Sequence, residues 1–296
     1  MTKSSKIIII TIVALILVTI PFVVMFSFNI YAKSKVENIT SKMKGRCNIT
    51  YADVSYNIIT RDLLIKNVKV SCDGEDTASF GLLKFSHILF GDNLPDSFIV
   101  KFSNGSVNML SSLFKTYGKP ASELGYSNIE IDGKMSYTFA KKTQRVKINS
   151  LIIDAKNIGK LTSELIIDGI SSVDFVSVFY DIIYSSRLSF AGSFQDSGLV
   201  LSLMNMYASK IKIDPAKAKE HIHNGIQRLI VNSEDNDVRE KYTELQKFLD
   251  NSSSIHVNIA PASALSIKDI IKYLNNDNLK EVFKSLDNLP ISISAK

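Results

Sequence analysis

The sequence predicts an α+β protein: an N-terminal transmembrane helix, then a mainly antiparallel amphipathic β-sheet, then a helical C-terminal part packed on it. Three observations carry that reading. Ile7 to Ala32 contains no charged residue. From Cys47 to about Phe194, apolar and polar residues alternate with period two. After Asp196 the apolar residues recur at helical spacing. With 45% hydrophobic and 22% charged residues, the 296-residue chain is globular in composition. Two cysteines exclude a disulfide-stapled mini-fold and a multi-cysteine zinc scaffold.

The first element, residues 1–32, reads as a signal anchor. A helix over the 26 uncharged residues would be roughly 39 Å long, more than the hydrocarbon core of about 30 Å. The run is too long for a cleaved signal peptide, and Ile30 occupies the −3 position of the only cleavage site, after Ala32. Residues 33–46 (KSKVENITSKMKGR) read as a basic juxtamembrane linker. Residues 1–46 hold seven basic groups and one acid, so they account for the whole net charge of +6. Residues 47–296 balance to zero, which argues against a nucleic-acid partner.

Residues 47–195 form the β-rich region. Its clearest strand is 129–139, where Ile129, Ile131, Met135, Tyr137 and Phe139 share one face with Gly133 between them. Glu130, Asp132, Lys134, Ser136 and Thr138 fall on the other. Val146, Ile148 and Ile152 continue the pattern, as do Leu161, Leu165 and Ile167, and then Leu188, Phe190 and Phe194. Earlier, Leu63 and Ile65 give way to Val68 and Val70 with a one-residue slip at Lys66–Asn67, read as a β-bulge. Short polar connections predict antiparallel neighbours. Cys47 and Cys72 lie in apparent strands; they form either a disulfide in an oxidising compartment or two buried thiols.

Residues 196–296 form the helical region with closing strands. Leu199, Val200, Leu203, Met204, Tyr207 and Ile211 make one stripe. Asp214–Pro215 starts a second helix and Asp235–Asp237 a third. Ser254–Ile259 returns to strand, further helices follow from Ser266 to Leu286, and Ile291 and Ile293 suggest a closing strand. The helices lie on the apolar sheet face, or the sheet curls into a barrel or trough.

Catalytic motifs are absent: there is no phosphate-binding loop, dinucleotide fingerprint, zincin helix or nucleophile elbow. Ser41–Lys44 and Ser112–Lys115 match S-x-x-K without partner motifs. His221 and His223 are two apart on a helix and do not share a face for a metal. Asp132, Asp154 and Asp168 follow apolar strand segments, where turn formation is the commoner role. No cofactor and no enzymatic activity are expected.

The order of features is similar to a known group. An anchor leads into Tyr51-x-x-Val54-x-Tyr56 and Leu63-x-Ile65-x-x-Val68-x-Val70, and the stretch from Leu124 to Ser171 continues in strands. This resembles bacterial single-pass inner-membrane proteins with a β-rich periplasmic domain, including the AsmA/TamB-like group. The resemblance implies a single-pass protein of the bacterial cytoplasmic membrane with its C-terminal domain in the periplasm. Two functions follow as expectations. One is a non-enzymatic cell-envelope module that binds a protein partner or serves structurally. The other is a lipid-binding or lipid-transfer module whose apolar sheet face, with Ile129, Ile131, Met135, Tyr137 and Phe139, contacts lipid.

Overall fold

Among the described residues, eleven strands hydrogen-bond into one sheet. The structure is a computed structural model; it describes residues 29–38, 40–41, 47–88, 96–114, 121–168, 187–251, 253–259 and 291–296. The strands are β1 (Cys47–Thr50), β2 (Asp53–Asn57), β3 (Asp62–Cys72), β4 (Glu75–Ser86), β5 (Ser97–Asn108) and β6 (Asn128–Ala140). They continue as β7 (Arg145–Ala155), β8 (Gly159–Asp168), β9 (Arg187–Asp196), β10 (Ser254–Ile259) and β11 (Ile291–Ala295). Their order is β1-β3-β4-β5-β6-β7-β8-β9-β10-β11, with β2 also pairing β3. Every pairing is antiparallel. The helices are α1 (residues 29–38), α2 (Leu199–Ile211), α3 (Pro215–Asn232) and α4 (Asn236–Asn251). Because β10 and β11 extend the same sheet beyond the helices, position 195/196 separates types of element within one folded unit.

The transmembrane, single-pass expectation is overturned. Among the described residues, no helix is long and apolar enough to cross a membrane. Positions 7–28 of the expected span lie outside the described residues. Its last four residues belong to α1, which packs on the sheet. Ala32 and Val36, one turn apart, are buried against Val54, Tyr56, Leu63, Ile65 and Val68. The side-chain oxygen of Asn29 accepts the backbone N–H of Tyr56. Residues 33–38, read above as linker, are therefore helix, held by burial of the one apolar side chain in their polar run. The helices expected between 266 and 286 lie outside the described residues.

The slip at Lys66–Asn67, expected as a β-bulge, is not one: β3 gains no residue against β4 there. Asn67 has φ of 52° and sits between two pairs that keep the same register, Lys66 with Leu82 and Val68 with Phe80. The next strand boundary repeats this: Asn104, with φ of 51°, lies between the Leu82–Ser103 and Phe80–Gly105 pairs. The pleat therefore inverts together in β3, β4 and β5, at Asn67, Gly81 and Asn104. Asparagine tolerates the left-handed conformation better than most residues, which suits it to this line. An extra residue enters where this line reaches β6: the register steps from Phe102 to Gly105 against Gly133 to Ile131. The register also shifts between Val70 and Ser71 of β3, opposite Thr77 of β4, and a further irregularity lies at Asn149–Ser150 in β7. It moves Leu151 and Ile153 onto the face of Ile131 and Met135, and Ile152 onto the opposite face, correcting the alternation expected from Ile148 to Ile152.

The result is one apolar face across the whole sheet, covered at both ends. At one end α1 packs on β2 and β3, with Phe80, Leu83 and Phe85 of β4 against that cluster. At the other, Val200 and Met204 of α2 and Phe248 of α4 pack on Phe194, Ile255 and Ala295. The helix starts are set locally: Asp214 accepts the N–H of Ala216 ahead of Pro215, and Asp235 accepts that of Asp237.

Strand β11 is pinned by a side chain. Glu244 of α4 accepts the N–H of Ala295 at 2.7 Å and pairs with Lys247. The Ala295 N–H and then Lys247 hold its carboxyl below the usual carboxylate value. A carboxyl whose folded pKa is depressed contributes stability that is complete above its unfolded value, about 4.3, and lost as pH falls through the folded value. Hydrogen exchange at Ala295, corrected for intrinsic rates, should therefore accelerate as pH falls below about 4. Glu244→Gln should show the faster exchange already at neutral pH. A pH-independent protection factor that the variant shares would remove this role from Glu244.

Candidate functional site

The apolar face is built from register. Across β5 to β8 it carries Phe98, Val100 and Phe102, then Ile131, Met135 and Tyr137, then Ile148, Leu151 and Ile153, then Leu161 and Leu165. These side chains are partly buried. Two glycines on the face are covered by aromatic rings. A Cβ at Gly133 would lie 2.3 Å from the Phe102 ring, and one at Gly192 would lie 2.5 Å from the Phe190 ring. The rings thus lie down over neighbouring backbone, an arrangement that shields strand glycine from water. Phe98 and Tyr137 stack with centroids 4.7 Å apart, and Phe80 meets Phe102 edge-on at 5.8 Å. Burial, and then the charge of Asp96, raises the Tyr137 hydroxyl above its ordinary pKa.

The five residues expected to face lipid separate into two environments. Ile129, Ile131, Met135 and Tyr137 are partly buried, with Ile129 at one end of the strand. Phe139 is buried at the other end, in a cross-strand row with Val146 and Ile167 that is equally dry. Cys47 and Cys72 are direct partners in the β1–β3 ladder and form a disulfide. Ser163, not singled out from the sequence, lies on the apolar face between Leu151 and Gly192. It is 3% exposed, and its Oγ has no hydrogen-bond partner among the described residues. Its signal was a polar residue at an apolar position, between Leu161 and Leu165.

Most of the groups considered for chemistry have structural partners. Arg145 makes two hydrogen bonds to the Asp168 carboxylate. Asp132 accepts the N–H of Asn104 at 2.8 Å and so anchors the β5 bulge. Asp154 is the cross-strand partner of Asp132. His221 meets the Tyr207 hydroxyl of α2 at 2.8 Å, and His223 meets Asp250 of α4 at 3.2 Å. Their two-residue spacing on α3 turns them toward different neighbouring helices. Among the described residues, no three His, Cys, Asp or Glu side chains are grouped to hold a metal. Lys44 and Lys115 of the two S-x-x-K matches lie outside the described residues.

Residues 152–296 match the model of a family described as "Uncharacterized protein". The match starts within β7 and takes in β8 to β11 and helices α2 to α4. No curated protein and no solved structure matches the chain. None of these comparisons links it to the AsmA/TamB-like group.

Proposed function

We propose that the chain is a non-enzymatic binding module of an oxidising compartment, and that its ligand is an acyl chain laid on the apolar face of β5 to β8. The observation behind this reading is the exposure pattern of that face. Its two ends are buried under α1 and under α2 and α4, while Ile131, Met135, Tyr137 and Leu151 between them are only partly buried. Apolar surfaces with few polar groups favour such ligands. Each methylene removed from water contributes about 0.8 kcal/mol, so a chain of about ten carbons supplies roughly 8 kcal/mol before ordering costs. The flat rings over Gly133 and Gly192 keep the surface low enough to lie along. The disulfide supports the compartment, because such bonds persist where thiols are not kept reduced.

The test is native mass spectrometry of the full chain with lipid extraction of the same sample. A stoichiometric lipid is expected, and it should be lost in Met135→Lys and reduced in Ile131→Ala, with far-UV circular dichroism and the disulfide unchanged. A folded, lipid-free chain would overturn the reading. A co-purifying protein seated on the same side chains would replace the acyl chain with a protein partner.

A further inference from the structure

The opposite face of the sheet carries a row of mostly polar side chains. Lys84, Lys101 and Lys134 are successive cross-strand partners in β4, β5 and β6. Through Ile152 of β7 the same row reaches Thr162, Ser193, His256 and Ser294 in β8 to β11. Lys84 is paired with Asp62 at 2.8 Å. Lys101 and Lys134 have no ion pair among the described residues, although each faces the other directly across the ladder. Like charges in that position are destabilising, with Cβ atoms about 5 Å apart.

At its far end the row crosses an open trough of about 400 Å³. Small residues, Ala191 and Gly192, line it beside Glu164, His256 and Asn258. Among the described residues none of the polar side chains along it, Thr162, Glu164, Ser193, His256, Asn258, Ser292 and Ser294, is held by another group of the protein. They are unlike Asp62, Glu130, Arg145 and Asp168 on the same sheet, all of which are paired.

We propose that this row binds an acidic glycan lying across the strands, with an acidic group on Lys101 and Lys134 and its hydroxyls in the trough. Three features select that ligand. Hydroxyl, amide, imidazole and carboxylate groups together offer donors and acceptors, which suits a ligand whose own hydroxyls do both. With strands about 4.8 Å apart, the row from β5 to β10 is roughly 24 Å long, which fits a polymer better than a single small molecule. The charges are sparse and mixed. Asp132 and Asp154 border the lysines on one side, with Lys160 facing Asp154. Ser136 and Ser150 border them on the other. A nucleic acid, charged at every unit, would meet Asp132, Asp154 and Glu164. A glycan with widely spaced acids would meet the lysines on the serine side. The proposal concerns the face opposite the acyl-chain surface and holds whether or not that surface binds lipid.

Calorimetric titration of the full chain at low salt tests it, with hyaluronan oligomers, which carry one carboxylate on every second sugar, as the acidic probe and malto-oligomers as the neutral one. Saturable binding of the acidic probe is expected, weakening as salt is added. The K101E/K134E pair of substitutions should weaken it at least about tenfold, as loss of charge-assisted contacts does. Ser193→Tyr and Ser294→Tyr, which fill the trough, should weaken it as well. Lys69→Glu, on the same face but outside the row, should leave it unchanged. Circular dichroism identifies any variant that fails to fold, and the two tyrosine variants substitute for one another. No saturable binding, equal binding of the neutral probe, or an equal loss in Lys69→Glu would overturn the proposal.

Discussion

Gly133→Ala is expected to destabilise the protein by about 3 kcal/mol, the upper part of the range for an added methyl in a packed site. The added carbon would lie 2.3 Å from Cζ of Phe102 and 2.6 Å from the carbonyl oxygen of Ile152. The ring could swing aside, but it rests edge-on against Phe80. The carbonyl belongs to the neighbouring strand and moves only if β7 moves. In the Phe102→Ala background, Gly133→Ala should therefore cost less than it does in the wild type, though not nothing. Gly225→Ala provides the opposite sign: this glycine lies inside α3 with nothing within 4 Å of its missing Cβ. There alanine should stabilise by about 0.5–1 kcal/mol, through helix propensity alone. Urea unfolding midpoints at unchanged slope measure all three. A cost of zero for Gly133→Ala in the Phe102→Ala background would show that the ring was the sole obstacle, and no loss in Gly133→Ala alone would show that β6 and β7 separate easily.

Breaking the disulfide is expected to cost about 3 kcal/mol. Cys47 and Cys72 are 25 positions apart, and closing a loop of that length removes entropy from the unfolded chain worth about that much. The loop contains β2 and the turn into β3, so the bond holds the edge of the sheet on which α1 packs. Cys72 is 1% exposed, so the replacement that leaves no buried hydroxyl, Cys47→Ala with Cys72→Ala, is the cleaner one. The reduced wild type should unfold at the same lower midpoint as that variant, and hydrogen exchange should rise first at β1 and β2. Equal midpoints for oxidised and reduced protein would mean that this edge is already loose, and the support for an oxidising compartment would weaken with it.

Part of this architecture is legible in local pattern. The residues of β6 alternate without interruption, and the structure keeps Ile129, Ile131, Met135, Tyr137 and Phe139 on one face because successive side chains in a strand point to opposite sides. Helix α3 begins at Pro215 because Asp214 caps it, an interaction confined to three residues. These readings need no knowledge of distant chain. The reading of 29–32 as the end of a membrane span failed for the opposite reason. Hydropathy measures how apolar a segment is, whereas the burial of Ala32 and Val36 depends on β2 and β3 offering them a surface.

The binding faces belong to that second kind of information. Lys101 and Lys134 are 33 positions apart in the chain, and Ser193 and His256 are 63 apart. Their adjacency follows from register, which the bulges in β5 and β7 reset by one residue each time. A one-residue slip moves every following side chain to the other face. The alternation of single strands thus specified which residues could be dry or wet. The pairing of strands across the bulges chose which of them meet, and so placed Ser163 among apolar neighbours and the lysines beside one another.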